Sequence, residues 1–285
     1  MEGKGTAAEP YKIMNSAQLN QVRDNLTAYY ILGADIDLTE DTQKGGKLNN
    51  LPSPAYDNGH GWEAIIGFQG SFDGKGHTIK GLYQRTKIIS KDGQSSSVKT
   101  SGYGGLFGRV NRGVKIKNVV LENFDIECHT RCGALVGSYA NDGSTNAWNV
   151  EFSGIAVKNS TVTGNWDIDL GGVFGSLESN NEASLTINNI YTDTYIDDVT
   201  NDISEFGMIA YSIDRFKNVN ISNIQMLGFI QGEFDDGSDS AVMIKSLGAH
   251  SLTMQNILST VQSEKVGGLI CNECIVNDYN GNDGS

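Results

Sequence analysis

A short phrase recurs along this chain about every 35 residues, and a repeat of that length admits few architectures. A glycine-flanked apolar burst reads Gly104-Gly105-Leu106-Phe107-Gly108, then Gly133-Ala134-Leu135-Val136-Gly137, then Gly171-Gly172-Val173-Phe174-Gly175. Weaker copies follow at Phe206-Gly207-Met208-Ile209, Ala241-Val242-Met243-Ile244 and Gly267-Gly268-Leu269-Ile270. In the last copies Ala210 and Lys245 replace the closing glycine. Between bursts lies a second apolar phrase, centred on Asn118, Gly154, Asn189, Asn223 and Asn256, at spacings that shrink gradually through the mid-thirties. Units of this kind bury their apolar face only against their neighbours, so the repeat predicts a quasi-linear stack.

Each unit offers about three short strands, because another apolar segment follows the Asn, as in Phe124-Asp125-Ile126 or Thr161-Val162. That pattern predicts an all-β chain folded as a parallel β-helix, a solenoid whose coils pair above and below around a shared core. A propeller blade would need four strands over roughly 40–50 residues. The in-phase Asn residues are expected to hydrogen-bond coil to coil as a ladder, and the glycine pairs to permit tight turns. Composition agrees: 35 Gly, 3 Pro and 38% hydrophobic residues suit many short strands.

Ahead of the repeats, Tyr11-Lys12-Ile13 reads as a strand. Ser16 then opens a short N-terminal helix as N-cap, with Leu19, Val22 and Leu26 on one face. Such a helix would cap the open end of the first coil. Strands are expected at Tyr29 to Leu32 and at Asp35 to Leu38, loops at 39–61 and 86–102, and the pattern between them from Trp62 to Ile79. The organisation predicted is one continuous solenoid: cap and first coils over 1–85, repeats over 86–275, and a polar tail or linker over 276–285.

A formal charge of −13 repels phosphate backbones, which excludes nucleic acid as the partner. No window approaches the ~18 consecutive apolar residues of a membrane span. The opening Met1-Glu2-Gly3-Lys4-Gly5 has no apolar signal core, which fits a cytosolic chain or a mature segment. The four cysteines form two local pairs, Cys128/Cys132 and Cys271/Cys274. About four coils at ~4.8 Å each separate them, so one shared zinc site is excluded. Two loop disulfides in an exported protein and four free thiols both remain open.

Several clusters carry candidate chemistry. Asp235, Asp236 and Asp239 crowd one turn and would suit Ca²⁺, against the plainer reading of a solvated acidic turn; no other cofactor is expected. Trp148 and Trp166 sit in polar stretches where the period is longest. With Asp167 or Asp169 accepting hydroxyls they could stack a sugar ring; otherwise each folds back over a coil end. The run Phe72-Asp73-Gly74-Lys75-Gly76-His77 lacks the Gly-Lys-Ser/Thr ending of a phosphate loop and reads as a β-turn. Gly59-His60-Gly61 resembles the Gly-His-Gly of polygalacturonase-like enzymes, without their Arg-x-Lys partner. Thr161/Thr163 and Thr192/Thr194 form Thr-x-Thr pairs, but an ice-binding plane needs them on every coil, and Asn220/Ser222 breaks the series.

The bursts and the segment before them, with Tyr30-x-Leu32, Asp35-Ile36-Asp37-Leu38 and Phe72-Asp73-Gly74-Lys75-Gly76-His77-Thr78-Ile79, resemble the GLUG-motif repeat of bacterial surface proteins. The resemblance implies a right-handed parallel β-helix and an adhesin-like role. It supplies no catalytic residues, and the His-Glu-x-x-His motif of the immunoglobulin A-cleaving metalloproteases that carry such repeats is absent. The expected function is therefore a non-enzymatic exported protein at the cell surface, an adhesin or spacer whose loops meet a glycan or a host cell-surface protein. The alternatives are a polysaccharide-active β-helix enzyme and the scaffold part of a larger chain or assembly. The enzyme would need two carboxylates roughly 5–10 Å apart among Asp167, Asp169, Asp197 and Asp198.

Overall fold

The computed structural model describes residues 1–49, 59–86, 102–140, 146–164, 169–180, 182–198, 205–231, 240–263 and 271–276; at 198, 205, 240, 241, 263 and 271–276 the description is of the backbone. The chain is a parallel β-helix. One column of paired positions runs Tyr11, Tyr30, Phe72, Ile116, Phe152, Ile187, Ile221, Met254, every step parallel and in register. From Ile116 onward each circuit is one residue shorter than the one before. A second wall stacks Ile36, Ile79, Leu121, Val157, Thr192 and Met226. A third stacks Gln84, Ile126, Val162, Ile196, Ile230 and Ser263. A fourth stacks Ile65, Phe107, Val136, Phe174, Ala210, Ile244 and Cys271. A separate five-stranded sheet, Tyr103–Gly104, Arg131–Cys132, Asp169–Gly171, Glu205–Gly207 and Ser240–Ala241, precedes the fourth wall in each coil.

The bend between the first two walls is made by one residue in the left-handed region. Asn118, Asn189, Asn223 and Asn256 have φ of 53°, 54°, 56° and 55°, and Gly154 has 64°. Asn tolerates this conformation because its short side chain bonds locally, while other L-residues pay roughly 1–2 kcal/mol. The five therefore stand in one column, as their phase predicts. The ladder expected between their amides forms only in part. Asn256 Nδ2 donates to Asn223 Oδ1 at 2.9 Å, but Asn223 Nδ2 steps aside to Asn188 Oδ1 at 2.8 Å, and Gly154 has no amide to offer. Backbone conformation, more than an amide chain, selects Asn here. Asn189→Gly should leave stability nearly unchanged and Asn189→Val should cost about 1–2 kcal/mol, read from urea midpoints.

A second left-handed column, Gly81, Asn123 and Asn159, lies five residues after Gly76, Asn118 and Gly154 and turns the second wall into the third. The residue after the closing glycine is a serine in successive coils: Ser138, Ser176, Ser212 and Ser246 align inside the fourth wall, and Ser176 and Ser212 share a 2.8 Å hydrogen bond. The same register shows that Tyr211, and not Ala210, takes the closing-glycine place; Lys245 does so in the next coil. Lys245 is 5% exposed, with Nζ 5.9 Å from the Tyr211 ring centroid.

The core is one contiguous apolar column threaded by rings: Tyr30–Phe68 centroids are 6.2 Å apart, Phe68–Phe107 4.9 Å and Phe152–Phe174 4.7 Å. At the N-terminal end the circuit from Tyr11 to Tyr30 is made by the helix Ser16–Asn20 and a 3₁₀ turn, Gln21–Asp24, whose Leu19 and Val22 are fully buried. This helix ends too early to include Leu26, which packs on the core from beyond it. Its N-cap is Asn15, whose Oδ1 accepts from the Gln18 N–H at 3.0 Å; Ser16 is the first helical residue and gives its hydroxyl to Asp41. Glu2 bridges antiparallel to Lys12, so the opening residues also cover the first rung.

Candidate functional site

The sequence candidates among the described residues fall on several elements. Trp148 is half-buried against the core, its ring so close to Gly113 that a Cβ there would lie 3.3 Å from Trp148 Cε3. Its carbonyl accepts from the Ser184 N–H at 2.8 Å. The ring is thus folded onto the preceding coil. Asp169 stands on the five-stranded sheet, its Oδ2 2.9 Å from Arg131 Nε. Trp166, Asp167, Asp235, Asp236 and Asp239 lie outside the described residues. Among the described residues no three His, Cys, Asp or Glu side chains come together as a metal site.

Asp197 belongs to the long strand Ser184–Asp198 of the larger sheet, and Asp169 to the five-stranded sheet. A cleft of about 160 Å³ beside Tyr29, Ser71 and Lys115 is small against the ~300–1,000 Å³ of small-molecule sites.

Cys128 and Cys132 are joined as a disulfide, both fully buried, with Cα atoms 6.1 Å apart. Gly104 on the neighbouring coil leaves the room for it, since a Cβ there would run into both sulfurs. Cys271 and Cys274 fall on an extended strand, Cys271–Val276, and not in a turn. Reducing the first pair removes a constraint on a very short loop, which should cost about 2 kcal/mol on a chain-entropy estimate. Urea unfolding with and without reductant reads that loss directly.

His60 is structural. It is 4% exposed, and Nδ1 donates to the Arg85 carbonyl oxygen at 2.8 Å. The run from Phe72 to His77 is the turn expected of it. Asp73 Oδ1 accepts from the Lys75 N–H at 2.9 Å and from Asn118 Nδ2 at 3.1 Å. Burial opposes ionisation of Asp73, but these bonds and Lys75 outweigh it and hold its pKa below the ordinary value. The Thr78 N–H, and after it His77, lower that of Asp35 in the same way. Thr192 and Thr194 point inward, fully buried and bonded to each other at 2.7 Å, which rules out a threonine plane on the surface.

The feature with most capacity to bind was missed in the sequence. On the outer face of the third wall the paired positions are Asp125, Thr161, Tyr195, Phe229 and Gln262, preceded by Tyr83, which is buried. Tyr195 and Phe229 stack nearly parallel, 5.9 Å apart and 7° from coplanar, both half-exposed. Tyr195 Oη bonds to Gln231 and lies 3.5 Å from Asp197 Oδ2. At the start of the strip the Arg85 guanidinium lies 4.3 Å over the Tyr83 ring and pairs with Asp125 at 2.9 Å and Glu127 at 3.3 Å. Burial opposes the Arg85 charge, but those carboxylates outweigh it and raise its pKa. Ring edges, hydroxyls, a carboxylate and an amide thus follow one another along the coil axis. Such a strip can recognise a polyhydroxylated chain.

No family model matches the chain, and no solved structure matches it. Halomucin of Haloquadratum walsbyi (strain DSM 16790 / HBSQ001) is 30% identical over 199 residues. The match takes in 65% of this chain and spans 2% of the length of Halomucin.

Proposed function

We propose that this chain is a β-helical module of an exported surface protein, acting as a spacer and adhesive element without enzymatic turnover. The match to Halomucin carries the reading: most of this coil stack corresponds to a very small share of a far longer protein, as a repeat module would. The buried Cys128–Cys132 disulfide fits the same oxidising setting. The glycine-burst repeat and its resemblance to GLUG-motif surface proteins support it independently.

A glycan is the partner that best fits the strip of Tyr195, Asp197, Phe229 and Gln231. The edges of the stacked rings offer a sugar apolar contact, and the flanking carboxylate and amide accept and donate hydroxyl bonds. A glycan array with wild type, Tyr195→Ala and Trp148→Ala tests this. Tyr195→Ala should lose roughly tenfold in apparent affinity, about one ring contact's worth, while Trp148→Ala keeps the signal. Equal signals from Tyr195→Ala and wild type would remove the strip from consideration. Hydrolysis or elimination of any polysaccharide in a parallel panel would overturn the non-enzymatic reading.

A further inference from the structure

The outer face of the first wall carries a recess in its early coils. Tyr29, Ser71 and Lys115 stand at one register position on three successive coils, and Thr27, Gln69 and Gly113 lie two residues earlier on the same coils. Tyr29, Ser71 and Lys115 each precede a buried core residue, Tyr30, Phe72 and Ile116, so their own side chains point out. Tyr29 and Lys115 are long, and Ser71 between them is short. Two rungs of the ladder, about 9.5 Å, separate the backbone of the phenol from that of the ammonium. The result is a cleft of about 160 Å³. It is too small for a drug-sized molecule, but an apolar cavity of about 150 Å³ takes up benzene, so one six-membered ring fits. The backbone beneath it is pinned coil to coil. The N–H groups of Gln69, Ser71 and Lys115 donate to the carbonyls of Leu26, Ala28 and Gly70 at 2.9, 3.2 and 3.1 Å, so the recess is preformed.

Its polar groups are unspent. Among the described residues the Tyr29 hydroxyl, the Gln69 amide, the Ser71 hydroxyl and the Lys115 ammonium make no hydrogen bond or ion pair with the protein. Lys115 has a carboxylate at hand and does not use it. Glu151 is its register partner on the next coil, but accepts the Ser153 hydroxyl at 3.0 Å instead. Lys117, two residues on, has Asp73 at 3.8 Å. In a chain with 34 Asp and Glu against 21 Lys and Arg, an ammonium left beside a cleft is a ready partner for a carboxylate brought from outside. The net charge of −13 repels a densely charged chain, which favours a ligand with one isolated negative group. The phenol, hydroxyl and amide around it suit the hydroxyls of a sugar ring.

We propose that this cleft binds a carboxylated sugar, with the carboxylate on Lys115, the ring against Tyr29 and ring hydroxyls on Ser71 and Gln69. The site lies on the first wall and the Tyr195 strip on the third, so neither depends on the other.

Titration of the full chain with glucuronate, galacturonate and N-acetylneuraminate, each beside its methyl ester, tests this through backbone amide shifts. At least one acid should shift the amides of Ser71, Gly113 and Lys115 and bind at least about tenfold more tightly than its ester, the worth of a hydrogen bond to a charged group. Lys115→Gln removes the charge at an exposed position, so it should fold as wild type does and bind acid and ester alike. Tyr195→Ala should titrate as wild type. Cleft shifts that vanish in Tyr195→Ala overturn the proposal and assign the sugar to the strip. It is overturned too if no acid shifts the cleft amides, if wild type binds acid and ester equally, or if Lys115→Gln still prefers the acid. The acid–ester comparison on wild type needs no variant, so a misfolded Lys115→Gln would leave the test intact.

Discussion

Phe174→Ala should cost about 3–5 kcal/mol, the range for removing a buried ring. Phe174 is fully buried, stands between Val136 and Ala210 in the fourth wall and packs tilted on Phe152 at 4.7 Å. The neighbours cannot close the gap easily. Above it Ala210 is already small, and the strands on either side are held in register by parallel pairing. The loss should also be local, because each coil of a solenoid contacts only its neighbours. Amide exchange should therefore accelerate first in the coils of Val136, Phe174 and Ala210, and the Tyr30–Phe68 end should keep its protection. A drop in urea midpoint of less than about 1 kcal/mol in stability would mean that the ring is not a core element. Uniform exchange along the whole stack would mean that the coils unfold as one unit.

The repeat period was the strongest signal, and its physical basis explains what could be read. A residue that must adopt positive φ on every coil leaves Asn or Gly at fixed phase, so Asn118, Gly154, Asn189, Asn223 and Asn256 were legible without coordinates. The companion column of Gly81, Asn123 and Asn159 follows the same logic at an offset of five residues from the first, and it escaped notice because Asp193 and Thr194 break it. The serines after the closing glycine, Ser138, Ser176, Ser212 and Ser246, were equally visible in the sequence. Degenerate copies hid the register: once Tyr211 fills the glycine place, the burst offers no anchor, and Ala210 looks like the substitution. The binding strip was out of reach for a different reason. Whether Tyr195 and Phe229 stack on the outside depends on which alternate residues face inward, and inserted bends reset that phase twice per coil. Trp148 drew attention because an indole in a polar stretch stands out; its half-burial against Gly113 comes from a glycine one coil away.

The closing glycine itself should be among the least tolerant positions of the described residues. Gly108, Gly137 and Gly175 align on three successive coils, and none has positive φ, so conformational freedom is not what they provide. They provide room. A Cβ on Gly175 would collide with the Gly137 carbonyl oxygen and stand 2.9 Å from both the Cys132 nitrogen and its oxygen. Both obstacles are backbone, one on the fourth wall and one on the five-stranded sheet, so no rotamer change relieves them. Overpacking a close-packed site costs typically 1–3 kcal/mol when side chains can shift, and more when backbone must. Gly175→Val should thus separate the five-stranded sheet from the fourth wall or prevent folding, and Gly175→Ala should already cost several kcal/mol on that account. Gly76→Ala is the control. Its φ is +81° and nothing lies within 4 Å of the added Cβ, so it pays only the left-handed cost of about 1–2 kcal/mol. Soluble yield and urea midpoint of the three variants separate the two causes. A Gly175→Ala protein no less stable than Gly76→Ala would show that the sheet can retreat from the wall, and the glycine-burst column would lose its steric explanation.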